Sequence, residues 1–168
     1  LRYCRKGPAG LVNQIGYADI GSNGDTIFGD QRGWGCAVTY AEKGEGLPGI
    51  GGSGDFARNA RVCIFATESV AKGGLISSIV PMVSHVDQTE HDVQVIITEQ
   101  GIADLRWKTP RERAELIIEN CAHPDYRPML REYYEHAIDV AAGKQTPHDL
   151  AQALSWHQRF LATGTMKP

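Results

Sequence analysis

The chain has 168 residues and a formal charge of −3, with 42% hydrophobic and 22% charged residues. These are values of an ordinary folded chain, long enough to bury a core without disulfides or metal, and they exclude wholesale disorder and a strongly basic nucleic-acid binder. No apolar run approaches the ~20 residues that span a bilayer, so neither nucleic acid nor membrane is an expected partner.

The opening residues, Leu1-Arg2-Tyr3-Cys4-Arg5-Lys6, carry charge, but no apolar stretch follows and no secretory leader is expected. Without a Met at position 1, the chain reads as a processed product or a piece of a longer one. Cys4, Cys36, Cys63 and Cys121 are far apart and form no C-x-x-C, so free thiols in a reducing compartment are expected. Fourteen of the nineteen glycines fall between Gly7 and Gly54, which makes the first third loop-rich. Residues 1–47 offer one strand, at 36–40.

From residue 55 the texture changes. A short helix is expected at 55–60 and strands at 61–66 and 75–80, the second stopped by Pro81. Residues 92–98 make the strongest strand, a near-continuous apolar run suited to burial on both faces and ended by Gly101. Helices follow. Thr109-Pro110-Arg111-Glu112 is a capping box with Pro at the first helical position, and His123-Pro124 breaks the helix it opens. A second helix is predicted over 128–142, with Gly143 as its stop. A third is predicted from a cap at Thr146-Pro147-His148-Asp149, closed by Gly164. Strands followed by helices point to an α/β layer structure.

Four short stretches could carry chemistry. Gly49-Ile50-Gly51-Gly52-Ser53-Gly54 matches G-x-G-x-x-G by letter, but a dinucleotide site needs a strand directly before it, and residues 42–48 do not read as one. Such a turn can present unshielded N–H groups to a phosphate or an oxyanion, or it can be a tight structural turn. Lys72-Gly73-Gly74 places a lysine in a loop between two strands, where it can reach an anion or simply be solvated. Between His85 and His91 lie two histidines and two carboxylates whose spacing fits no common zinc pattern, so no metal is expected. Glu99 follows the strongest strand, where ligand sites of open α/β sheets gather; it can orient a substrate, shift a proton or cap a turn.

Four segments together carry a resemblance. They are Gly51-Gly52-Ser53-Gly54-Asp55-Phe56-Ala57-Arg58-Asn59-Ala60, the run from Ile79-Val80-Pro81-Met82 through His85 to Asp92, Ile97-Thr98-Glu99-Gln100-Gly101-Ile102-Ala103-Asp104-Leu105-Arg106, and Cys121-Ala122-His123-Pro124-Asp125-Tyr126. They resemble the C-terminal domain of the acetyl-CoA hydrolase / CoA-transferase family, in the branch of succinyl-CoA:acetate and propionyl-CoA:succinate CoA-transferases. The similarity runs from about Gly49 to the end. It divides the chain into a segment 1–47 that departs from the family pattern and a domain 48–168.

The resemblance implies a CoA-transferase-type layered sheet with flanking helices, the C-terminal domain of a two-domain enzyme. It implies CoA transfer between a short-chain acyl-CoA and a carboxylate acceptor through a glutamyl-CoA thioester. The glutamate that forms it lies upstream in the family, and no residue here matches it. Hydrolysis of acetyl-CoA and mere CoA binding by an inactive piece are the alternatives. The resemblance assigns the Gly52 N–H to the oxyanion, Gly51, Gly52 and Lys72 to the CoA, and Glu99 to the active-site wall as an orienting group. It implies coenzyme A as substrate and no further cofactor, the N-terminal half of the enzyme as a partner, and a homo-oligomer. The expected location is cytoplasmic, or mitochondrial in a eukaryotic source.

Overall fold

The computed structural model describes residues 24–28, 36–41, 60, 62–83 and 89–168. In chain order the strands are β1 (Gly24–Phe28), β2 (Cys36–Ala41), β3 (Val62–Ala66), β4 (Val70–Ala71), β5 (Ile76–Ser77), β6 (Val95–Thr98) and β7 (Gly101–Asp104). The helices are α1 (Pro110–Cys121), α2 (Arg127–Val140) and α3 (Ser155–Thr163). The fold is α/β, and the chain divides into two units. One comprises Leu1–Thr67 with Val86–Ile97, the other Glu68–His85 with Thr98–Pro168.

The first unit carries a mixed sheet in the order β1-β2-β3-β6. β1 pairs antiparallel with β2, while β2 with β3 and β3 with β6 are parallel, in register Cys36↔Val62 and Ile64↔Val95. Parallel neighbours need crossover connections, and long stretches of sequence separate β2 from β3 and β3 from β6. The strand expected at 36–40 is β2, and that at 61–66 is β3. The one expected at 92–98 is shorter. The Thr89 carbonyl accepts the N–H groups of Asp92 (3.1 Å) and Val93 (3.3 Å), a turn that holds back donors a ladder would need. Gln94 then extends the pairing. Its N–H donates to the Cys63 carbonyl at 3.1 Å, and its side-chain oxygen accepts the Cys63 N–H at 2.9 Å. Cys63 is a buried free thiol, pushed up to about 11 by burial and then by the charge of Asp92.

The second unit packs three helices and a short ribbon around aromatic and aliphatic side chains. β4 and β5 form the ribbon, antiparallel, with Val70 opposite Ser77. Its expected strand at 75–80 shrinks to two residues because the Ser77 hydroxyl donates to the Ile79 carbonyl at 2.6 Å and bends the chain. α1 begins where its sequence dictates. Thr109 accepts the Glu112 N–H, the Glu112 carboxylate accepts the Thr109 N–H at 2.8 Å, and Pro110 occupies the first turn. Gly101 opens β7 rather than ending the preceding strand. A β-carbon there would stand 2.7 Å from the Asn120 carbonyl oxygen, so only glycine lets β7 lie this close to α1.

α3 starts later than its sequence suggests. Asp149 gives its carbonyl to the N–H groups of Gln152 (3.1 Å) and Ala153 (2.9 Å) and its carboxylate to Ala151 N–H and His136, so residues 150–154 run as turns. Gly164 closes α3 at φ 80°, as expected of a left-handed cap. The core of this unit gathers Ile118, Ala122, Tyr126, Leu130, Trp156 and Met166, with Val70, Ile76 and Phe160 packed against it. Tyr126 is fully buried, its ring centroid 5.7 Å from that of Trp156. Among the described residues no helix is long and apolar enough to cross a membrane.

Candidate functional site

Of the residues singled out in the sequence, Lys72 and Glu99 are described and both belong to the second unit. Gly51, Gly52, the short helix expected at 55–60 up to its last residue, and residues 84–88 of the histidine-rich loop lie outside the described residues.

Lys72 stands on the turn between β4 and β5. Three consecutive residues have left-handed backbone: Lys72 at φ 48°, Gly73 at 65° and Gly74 at 90°. The two glycines adopt this without penalty, whereas Lys72 carries a β-carbon into a region that L residues avoid. The turn is held from outside. The Tyr126 hydroxyl donates to the Gly74 carbonyl at 2.8 Å, and the Met166 N–H donates to the Leu75 carbonyl at 2.8 Å. The Lys72 ammonium lies 5.0 Å from the centroid of the Phe160 ring. Among the described residues no carboxylate stands within ion-pair distance of it.

Glu99 occupies the two-residue turn between β6 and β7. Its carboxylate accepts the Ser69 N–H at 2.8 Å on one oxygen. The other accepts the Ser69 hydroxyl and the Gln100 amide at 3.0 Å. Desolvation pushes this carboxyl up, but the Ser69 hydroxyl, the Ser69 N–H and the Gln100 amide together outweigh it and hold Glu99 down to about 2. The turn itself is pinned by Thr98, whose hydroxyl donates to the Cys121 carbonyl at 2.9 Å and accepts the Gln100 N–H at 3.2 Å.

Ser69 joins the two features. It is fully buried, it precedes β4 and the Lys72 turn directly, and it holds both oxygens of Glu99. No spacing rule points to a lone serine between two short strands. In the sequence Phe160 reads only as an apolar position of the last helix, and Tyr126 only as the end of a family-like segment. Chemically, Lys72 offers a cation against an aromatic face, its N–H donors unclaimed by a carboxylate among the described residues. Glu99 offers a carboxylate whose charged form is favoured and whose two oxygens already accept hydrogen bonds.

The described part of the site is thus a glycine-flanked cationic turn and a braced carboxylate after a parallel strand, both in one unit of an α/β chain. The model of the acetyl-CoA hydrolase/transferase C-terminal domain matches residues 34–134, and the chain belongs to that family. The match begins ahead of residue 48 and takes in β2. The chain is 67% identical over 121 residues to a succinyl-CoA:acetate CoA-transferase of Clostridium kluyveri, covering 72% of this chain and 22% of that protein. It is 56% identical over 120 residues to a propanoyl-CoA:succinate CoA transferase of Escherichia coli, covering 71% and 24%. An acetyl-CoA hydrolase of Candida albicans is 49% identical over 128 residues, covering 72% and 24%. The chain thus spans less than a quarter of the length of each of these relatives.

Proposed function

We propose that this chain contributes the CoA-binding wall of a CoA-transferase that moves CoA between a short-chain acyl-CoA (succinyl-, acetyl- or propionyl-CoA) and a carboxylate acceptor. In this reading a glutamate outside the 168 residues attacks the thioester carbonyl, giving an acyl-glutamyl anhydride and CoA thiolate. The thiolate attacks the glutamyl carbonyl, releasing the first acid and leaving a glutamyl-CoA thioester, and an acceptor carboxylate runs the sequence in reverse. Each attack puts negative charge on a carbonyl oxygen, which the Gly52 N–H stabilises, with Gly51 allowing close approach. Lys72 attracts the CoA ester by charge. Glu99 fixes its own wall through Ser69 and Gln100 and does not take the acyl group. CoA enters as substrate, and no other cofactor takes part.

The observation that carries this reading is the 67% identity to the Clostridium kluyveri transferase. The hydrolase reading, in which water replaces the acceptor, has support in the relatives of that name, at 49% and 50% identity.

The test is a graft: the Clostridium kluyveri relative with its matching 121 residues exchanged for those of this chain. Given succinyl-CoA, the graft is expected to form acetyl-CoA only when acetate is present, with little free CoA. Free CoA released at the same rate without acetate would support hydrolysis instead. A folded graft that turns over no acyl-CoA would overturn both.

A further inference from the structure

We infer that Phe160 is a positioning residue for Lys72, holding its ammonium ready for an anionic group of the CoA ester; the inference rests on the reading of Lys72 as a CoA contact. A lysine on a solvated turn samples many rotamers, and binding then has to fix them. Pairing with a carboxylate would fix the side chain but neutralise it against a phosphate. An aromatic face fixes it and leaves its charge and N–H donors available.

The second unit contains both arrangements. Lys167 lies 5.6 Å from the Tyr126 ring centroid and also pairs with Asp125 at 2.6 Å. Lys72 has the Phe160 ring at 5.0 Å and no carboxylate within ion-pair distance among the described residues.

The rest of the C-terminal segment fixes the turn on which Lys72 stands. After α3 ends at Gly164, Arg159 donates to the Met166 carbonyl at 2.8 Å, while the Met166 N–H reaches the Leu75 carbonyl at 2.8 Å. The same buried methionine thus links Arg159, the neighbour of Phe160 on α3, to Leu75. Tyr126, from the N-cap of α2, secures Gly74. Three anchors meet three of four consecutive residues, at the Lys72 side chain and at the carbonyls of Gly74 and Leu75. Lys72 keeps a left-handed backbone despite its β-carbon, an unfavourable geometry that these anchors maintain. Ring, phenol and tail together aim one cation.

The test uses the graft, in which the rest of the enzyme is present, with coenzyme A as the probe at low ionic strength. In the unmodified protein the Lys72 ε-methylene protons, assigned by their loss in Lys72→Ala, are expected upfield of their free-lysine position because of the Phe160 ring current. Phe160→Leu, which keeps an apolar helix face, is expected to abolish that shift and to weaken CoA binding about threefold. Phe160→Trp is expected to keep the shift and bind CoA about as well as the unmodified graft, since indole is the better cation partner. Lys72→Ala is expected to weaken binding at least as much as Phe160→Leu. Lys72→Ala weakening CoA binding while Phe160→Leu leaves it unchanged overturns the positioning role alone, as does a Lys72 methylene at its free position. No CoA binding by the folded graft, or binding indifferent to Lys72→Ala, overturns the reading of Lys72 as a CoA contact and the inference with it.

Discussion

The turn at Lys72 and the turn at Glu99 are both short, both glycine-flanked and both linked to Ser69, yet they treat their charges in opposite ways. Glu99 is surrounded by donors: two from Ser69 and one from Gln100. Lys72 is held by an aromatic ring and by the geometry of its turn, with no carboxylate to answer it among the described residues. A charge saturated by its own protein organises structure. A charge that is placed but not answered is available to a ligand. On this comparison Glu99 braces its own turn, and Lys72 is the charge we propose as the ligand contact.

The comparison breaks most easily at the shared core. Tyr126→Ala removes the buried ring that packs on Trp156 and is expected to cost about 3–5 kcal/mol, read by denaturant unfolding. Tyr126→Phe keeps the ring and loses only the hydrogen bond to Gly74, about 1 kcal/mol. Equal costs for the two would mean that the hydroxyl, rather than packing, supports the Lys72 turn.

Ser69→Ala sharpens the acidic side. It strips one donor from Glu99 and is expected to cost about 1–3 kcal/mol. It should also raise the Glu99 pKa from about 2 towards its ordinary 4.5, as followed by carboxyl-carbon NMR. The sign follows from the depression. Glu99 stabilises the fold fully above about 4.5, and that contribution is lost as pH falls towards 2. Ser69→Ala should therefore flatten the acid limb of stability. A Glu99 that titrates near 4.5 in the unmodified chain would remove the brace.

On the basic side, Lys72→Ala in the graft is expected to raise the acyl-CoA KM several-fold with little change in kcat, because a ground-state charge contact acts on binding. The loss should shrink as salt screens the attraction. An unchanged KM at low salt takes Lys72 out of the site. The smallest effect is on stability. Lys72→Gly should be more stable than Lys72→Ala by about 1 kcal/mol, since glycine meets φ 48° without strain. Equal stabilities would mean the turn relaxes out of the left-handed region.

Local signals reached most of the elements. The capping box at Thr109 and Glu112, the break at His123-Pro124 and the cap at Gly164 were legible because each acts through its own neighbours in the chain. Elements decided by distant partners were not. Gly101 reads as a strand end, and only the Asn120 carbonyl from α1 explains it as a strand opening. Thr146 and Asp149 read as a helix cap, but Asp149 turns its carboxylate to His136 on α2 and the helix waits until Ser155. The same divide runs through the site. Lys72 and Glu99 stood out by residue type and by their glycine neighbours. Ser69 and Phe160 did not, because a serine thirty residues from its glutamate and a phenylalanine on a helix face gain their roles only when the chain folds.

The central claim is that Glu99 braces the wall and never carries the acyl group. It can be measured by trapping the covalent intermediate. The graft is incubated with acyl-CoA and treated with borohydride, which reduces a glutamyl thioester to the alcohol, and its peptides are read by mass spectrometry. The account predicts the alcohol on a glutamate outside the grafted 121 residues, with Glu99 recovered unchanged. The alcohol on Glu99, together with acetate-dependent turnover, would contradict the account and make Glu99 the nucleophile.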